Sequence, residues 1–215
     1  ERGIEKYSVL RALRALERAD VAVLVIDAAD GVTAQDAHIG GYLQAAGVGA
    51  IIAINKWDLI EKDTNTSIEV ERRVRTELKH LDYAEVCFIS AVTGQRVIKL
   101  VEQAIAVNAS RRHRVATSEL NRLVAELQAK HTLTRSGRPL KIRYATQVAV
   151  APPHFVFFVN DAELVHFSYE RYVTNQIHER FGFHGTPVKL TFRSGDKREE
   201  SDAKARRGHP RSSPR

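Results

Sequence analysis

The chain has 215 residues, 43% hydrophobic and 27% charged, with a formal net charge of +7. That is enough apolar material for one large domain or two small ones with real cores, and it excludes a chain that is disordered throughout. No apolar run approaches the ~20 residues of a membrane-spanning helix, no charged-then-apolar leader opens the sequence, and the excess of cations favours a polyanionic partner, of which nucleic acid is the commonest.

In chain order, Val9, Leu10, Leu13 and Leu16 recur at helical spacing with charged residues between them, which predicts an amphipathic helix over Ile4–Arg18. Val21–Asp27 is a continuous β-branched run, the pattern of a strand buried on both faces in a parallel sheet. Thr33 caps a helix to about Ala46, with Ile39, Tyr42 and Leu43 inward. Ala50–Ile54 is a second buried strand, followed by a helix near Ser67–His80 and a third strand at Val86–Ile89, which contains the one cysteine, Cys87. A lone apolar thiol suits inert packing in a reducing cytosol. Thr93-Gly94 then turns the chain into a helix over Gln95–Val107, with Val97, Leu100, Val101 and Ile105 inward. Strand and helix alternate, so the first part, 1–107, is an α/β layer with a parallel sheet.

Composition shifts at Asn108–Arg114, and residues 108–116 read as a basic linker. A helix capped by Thr117 or Ser118 runs to about His131 on Leu120, Leu123, Val124 and Leu127. Lys141–Val150 and His154–Asn160 are strands joined at Pro152-Pro153, Tyr169–Phe181 is a helix and Val188–Phe192 a last strand. Residues 117–193 are thus a second, α+β domain, and 194–215 form a polar basic tail expected to be disordered.

The strongest chemical signal is Asn55-Lys56-Trp57-Asp58, placed where a buried strand ends. Ligands of α/β sheets sit at the carboxyl ends of strands. Guanine offers paired donors, N1–H and the 2-amino group, and the two oxygens of Asp58 match them; adenine has no such pair. Asn55 can bridge the base edge and nearby backbone, and the Lys56 stem can lie along the base face with its charge in water. The next strand ends in Ser90-Ala91-Val92-Thr93-Gly94, where a Ser-Ala turn can aim a backbone N–H at the guanine carbonyl. Trp57 reads as a partly exposed loop residue. Asp27 and Asp30 read as turn residues rather than a metal pair, and the nine histidines show no zinc spacing.

These stretches, with Gly3–Leu10 (GIEKYSVL), Glu17–Ala28 (ERADVAVLVIDA), Thr117–Leu123 (TSELNRL), Lys141–Gln147 (KIRYATQ) and Phe155–Tyr169 (FVFFVNDAELVHFSY), resemble the Der, or EngA, family of ribosome-associated GTPases over about residues 3–193. That family has two tandem GTPase domains followed by a KH-like domain. The resemblance implies a P-loop-type GTPase domain and a KH-like domain in this chain. It implies a guanine pocket of Asn55, Lys56, Asp58, Ser90 and Ala91 for GTP or GDP, and a cytoplasmic role in assembling the large ribosomal subunit on its rRNA. It implies neither membrane nor DNA as partner.

No G-x-x-x-x-G-K-[ST] loop occurs in the sequence. That loop cradles phosphates with backbone N–H groups, and its Ser or Thr helps hold Mg²⁺. With it absent, the chain is expected to hold no catalytic residue, to bind no metal of its own and to hydrolyse no GTP unaided; Mg²⁺ is expected with an intact GTPase. The lack of methionine, the opening at Glu1 and the helical start suggest a fragment with one sheet edge unpaired. An alternative is a docking module for RNA or protein that hydrolyses nothing; another is an Era-like GTPase with a KH partner. Gly182-Phe183-His184-Gly185 fits the RNA-clamping G-x-x-G, but it follows a helix and precedes a strand, so Gly182 reads as a helix C-cap. Phe155, Phe157, Phe158 and Phe167 read as core rather than base-stacking residues.

Overall fold

A computed structural model of the chain describes residues 11, 14–16, 18–130, 133–135 and 137–194. Most of the helix expected over Ile4–Arg18 and the tail beyond Ser194 lie outside these residues; 11, 14–16 and 18 are helical. The chain divides into two compact units. The first takes 1–114, 148–154 and 175–189, and the second 115–147, 155–174 and 190–215.

The first unit contains strand β1 (Val21–Asp27), helix α1 (Ala34–Ala46), strand β2 (Gly49–Asn55), helix α2 (Thr66–Glu77), strand β3 (Glu85–Phe88) and helix α3 (Val97–Arg111). The strands form a parallel sheet in the order β1-β2-β3, with Asp27 opposite Asn55 and Ile54 opposite Phe88. Central β2 is buried on both faces, which its run of Ala and Ile allows. One face packs Leu24, Ile26, Ile52 and Ile54 against Leu43, Val74, Leu78 and Leu81. The other packs Ile51, Ala53, Cys87 and Ile89 against Val107. Each fully buried side chain of this size contributes about 1.5–3 kcal/mol.

The helix ends follow their sequence. At α1, Thr33 Oγ1 accepts from Asp36 N–H while Asp36 accepts from Thr33 N–H, and Gly47 closes the far end at φ 65°. At α2, the Asp63 carboxylate accepts from the N–H groups of Asn65 and Thr66. The Thr66 hydroxyl, followed by those two N–H groups, holds the Asp63 carboxyl below its ordinary range.

Four expectations fail here. β1 is buried on one face only: Val23 and Val25 are 39% and 53% exposed. β1 lies at the sheet edge, and the α3 cluster reaches Val21 but leaves these two uncovered. On α3 itself, Leu100, Ala104 and Val107 form the contact stripe, so Val101 and Ile105 point to solvent. Tyr42 is likewise exposed. Helix α3 also continues to Arg111, into the stretch read as linker. The Arg111 guanidinium is buried there and donates to Gly47 O at 2.8 Å. Segment 175–189 adds to this unit through Gly185, whose carbonyl accepts from Ala50 N–H at 2.8 Å and whose N–H donates to Tyr83 O at 3.1 Å.

The rest of the chain forms helix α4 (Thr117–Lys130), a small hairpin of β4 (Thr134–Arg135) and β5 (Arg138–Pro139), strands β6 (Ile142–Val150) and β7 (Pro153–Val159), helix α5 (Phe167–Phe181) and strand β8 (Lys189–Ser194). The hairpin is too short to leave a periodic signal. The larger sheet has the order β6-β7-β8. In the second unit Leu120, Leu123, Val124, Leu127, Ala145, Phe155, Phe157 and Val159 are buried. Of the four phenylalanines read as core, Phe155 and Phe157 are fully enclosed, Phe158 is half-buried and stacked on Tyr144 at 4.3 Å, and Phe167 is exposed. The β6 backbone is capped by amide side chains of α4. Asn121 exchanges two hydrogen bonds with Ala145 and Gln128 two with Ile142. Edge groups that would otherwise invite a foreign strand are thus satisfied within the fold.

Candidate functional site

The parallel register brings two loops together at the carboxyl ends of β2 and β3. The first is Asn55-Lys56-Trp57-Asp58, in which Trp57–Leu59 form a 3-10 turn. The second is Ser90–Arg96. Asn55 Oδ1 accepts from Ala91 N–H at 3.0 Å, a link across 36 residues of sequence. Trp57 N–H donates to Ile89 O at 3.0 Å, and Ile89 N–H to Ile54 O at 2.8 Å. Ser90 is fully buried; its hydroxyl accepts from Thr93 N–H and its own N–H donates to Gln95 O. The second loop is therefore a closed turn locked beneath Ala91. The Asn55 amide oxygen and the Ala91 amide are both engaged, one with the other.

Asp58 is exposed on the 3-10 turn and has no hydrogen bond or ion pair among the described residues, so both carboxylate oxygens can accept from a ligand. Lys56 Nζ lies 2.5 Å from Asp27 Oδ2. This hydrogen bond, followed by that from Ala29 N–H, lowers the Asp27 carboxyl from its ordinary range; the same bond raises the Lys56 ammonium. Lys56 and Arg96 are the non-glycine residues with positive φ among those described, at 60° and 58°. One lies in each loop, and backbone held in so sparsely populated a region is typical of binding sites.

Trp57 is not a partly exposed loop residue. It is 5% exposed, belongs to the core of the first unit and meets the Phe88 ring at a centroid distance of 4.4 Å. It anchors the loop from below while its neighbours face out. Asp27, read as a turn residue, does close a turn through Ala29 N–H, but its second oxygen serves Lys56. The available signal was positional: Asp27 ends β1 level with Asn55 at the end of β2. Gly182 ends α5 at φ 68° with its N–H on His178 O, which is a helix C-cap.

The site offers acceptors for a base edge, an aliphatic stem and a closed backbone turn. Asn55 and Ala91 are joined to each other, while the Asp58 carboxylate is exposed beside them. Among the described residues no group of three His, Cys, Asp or Glu is placed to hold a metal ion. No helix among them is long and apolar enough to cross a membrane.

Comparison with known proteins bears on this geometry. Residues 3–110 match the elongation factor Tu GTP binding domain, and residues 114–193 match the KH-domain-like C-terminal region of EngA bacterial GTPase enzymes. The chain is similar to GTPase Der of Chloroflexus aggregans, 52% identical over 202 residues that cover 93% of this chain and 45% of that protein. It is also similar to GTPase Der of a Geobacillus species, 52% identical over 190 residues covering 88% and 44%. The chain thus spans under half the length of these relatives. Among solved structures, a probable GTP-binding protein engB is 22% identical, covers 50% of this chain and 67% of its own, and superposes with a TM-score of 0.41.

Proposed function

We propose a function from the premise that this chain belongs to the Der (EngA) family of GTPases and contains a GTP-binding domain followed by a KH-like domain. The segment supplies the guanine-recognising side of a GTP-hydrolysing protein that acts in assembly of the large ribosomal subunit. The observation that carries this reading is the hydrogen bond between Asn55 and Ala91, which joins the two loops beside an Asp58 that has no partner among the described residues.

In this reading Asp58 accepts from guanine N1–H and the 2-amino group, Lys56 flanks the ring, and Asn55, Ser90 and Ala91 shape the edge that meets the carbonyl. A site built on such hydrogen bonds disfavours a ligand lacking the donors, because the Asp58 oxygens it covers go unpaired. Phosphoryl transfer depends on positioning phosphates. The sequence contains no phosphate loop, so hydrolysis requires one from elsewhere in the intact GTPase. GTP or GDP is the ligand, and the basic composition suits an rRNA partner.

Two assays test this. Incubated with GTP and Mg²⁺, the chain releases no phosphate; steady turnover abolished by Asp58→Ala would refute the division of labour. In gradient sedimentation the chain travels with purified large subunits rather than small ones, and sedimentation with neither removes the ribosomal part of the reading.

A further inference from the structure

Asp27 has two oxygens with two different duties. Oδ1 accepts from Ala29 N–H at 2.9 Å, and Oδ2 meets Lys56 Nζ at 2.5 Å. Just beyond, Ala28 N–H donates to Asn55 O at 2.9 Å, so the ends of β1 and β2 are stitched at the level of the Asn55 loop. The turn needs only one acceptor, which an asparagine or a serine also provides. The second oxygen meets the lysine.

Lys56 is set for this contact by its backbone. At φ 60° and ψ 31° it is left-handed, and its side chain reaches back to the end of the neighbouring strand. The stem is thus held between two fixed points, its own Cα and the Asp27 carboxylate, while the side chain stays 52% exposed. A tethered aliphatic chain with an open flank, two residues before Asp58, is a surface for a flat ring. An untethered lysine has several rotatable bonds to order before it can serve that way.

We propose that Asp27 is a positioning residue of the guanine site: its carboxylate holds the Lys56 ammonium so that the Lys56 stem becomes the shelf on which a purine bound through Asp58 lies. This deepens the guanine reading above and rests on it. The shelf touches the face of the ring and not its donor edge, so Asp27 governs affinity for the purine, whereas Asp58 governs which purine is chosen.

The test uses the 215-residue chain, NMR, and guanosine and inosine as probes; inosine lacks the 2-amino group. In the free chain, Asp27→Asn keeps the Ala29 turn and frees the Lys56 side chain, whose Hε and Cε resonances collapse toward those of a solvated lysine. On titration, Asp27→Asn weakens guanosine and inosine alike, by a factor of about three, the scale of a partly exposed ion pair. The ratio between the two nucleosides does not change, whereas Asp58→Ala reduces it. In a Lys56→Gln background Asp27→Asn has no further effect. The proposal is overturned if Lys56 is already mobile in the native chain, if guanosine binds Asp27→Asn as tightly as the native chain, or if the two single losses multiply in the double variant. A native chain that discriminates guanosine but ignores Asp27→Asn refutes this proposal alone. One that does not bind guanosine refutes the guanine reading, and this proposal with it.

Discussion

Trp57 offers the most direct perturbation of the scaffold beneath the site. Its indole is 5% exposed, lies 4.4 Å from the Phe88 ring at 43°, and its backbone N–H donates to Ile89 O. Truncation to alanine removes a fully packed aromatic and leaves a cavity under the loop, a change that costs about 3–5 kcal/mol. A domain of this size has only about 5–15 kcal/mol in total, so Trp57→Ala should bring the first unit close to unfolding in plain buffer. Trp57→Phe keeps a ring against Phe88 and is expected to cost about 1–2 kcal/mol. Urea denaturation followed by far-UV circular dichroism measures both losses. Trp57 is the sole tryptophan, so acrylamide quenching of the native chain reports on this site alone and should be slow. Rapid quenching, or a loss under about 1 kcal/mol for Trp57→Ala, would refute the buried anchor and return Trp57 to an exposed loop.

Gly185→Ala should be far worse than Gly94→Ala, although both glycines have positive φ. A Cβ at Gly185 meets Val107 Cγ2 at 2.3 Å, while one at Gly94 meets nothing within 4 Å; thermal melts should show about 2–4 kcal/mol lost at the first and about 1 at the second. Asn121→Ala leaves the N–H and carbonyl of Ala145 without their side-chain partner and is expected to cost about 1–3 kcal/mol and to raise aggregation measured by light scattering. His178, whose Nδ1 contacts Phe183 O, is held below its ordinary value by burial, against the opposing pull of that bond and of Asp82. Its contribution to stability is therefore complete above the unfolded value near 6.5 and is lost as pH falls below it; melts at pH 7.5 and 5.5 should differ less in His178→Gln than in the native chain.

Much of this was legible in the residues. Ala50–Ile54 read as a buried strand, and the strand-end position of Asn55 followed from it. Thr33 announced the start of α1, and the alternation of strands and helices fixed the layer type. What could not be read was which apolar residues lack cover. Val23, Val25, Val101 and Ile105 have the composition of a core, but their exposure depends on where α3 ends its reach over β1. Polar cross-links between elements distant in sequence were equally silent: Asn121 on β6, Arg111 on Gly47 and Asp27 on Lys56 are ordinary surface types until the fold brings their partners near. Trp57 was misjudged because its polar neighbours suggested a loop in water, whereas a short 3-10 turn can bury one residue and expose the next.

The measurement that tests the central claim most directly is an amide NMR titration of the chain with guanosine and with adenosine. Base recognition predicts that guanosine shifts the amides of Ala91 and of residues 55–59, that adenosine does not, and that Asp58→Ala abolishes the difference. Equal shifts with both nucleosides, or shifts that survive Asp58→Ala, would contradict it.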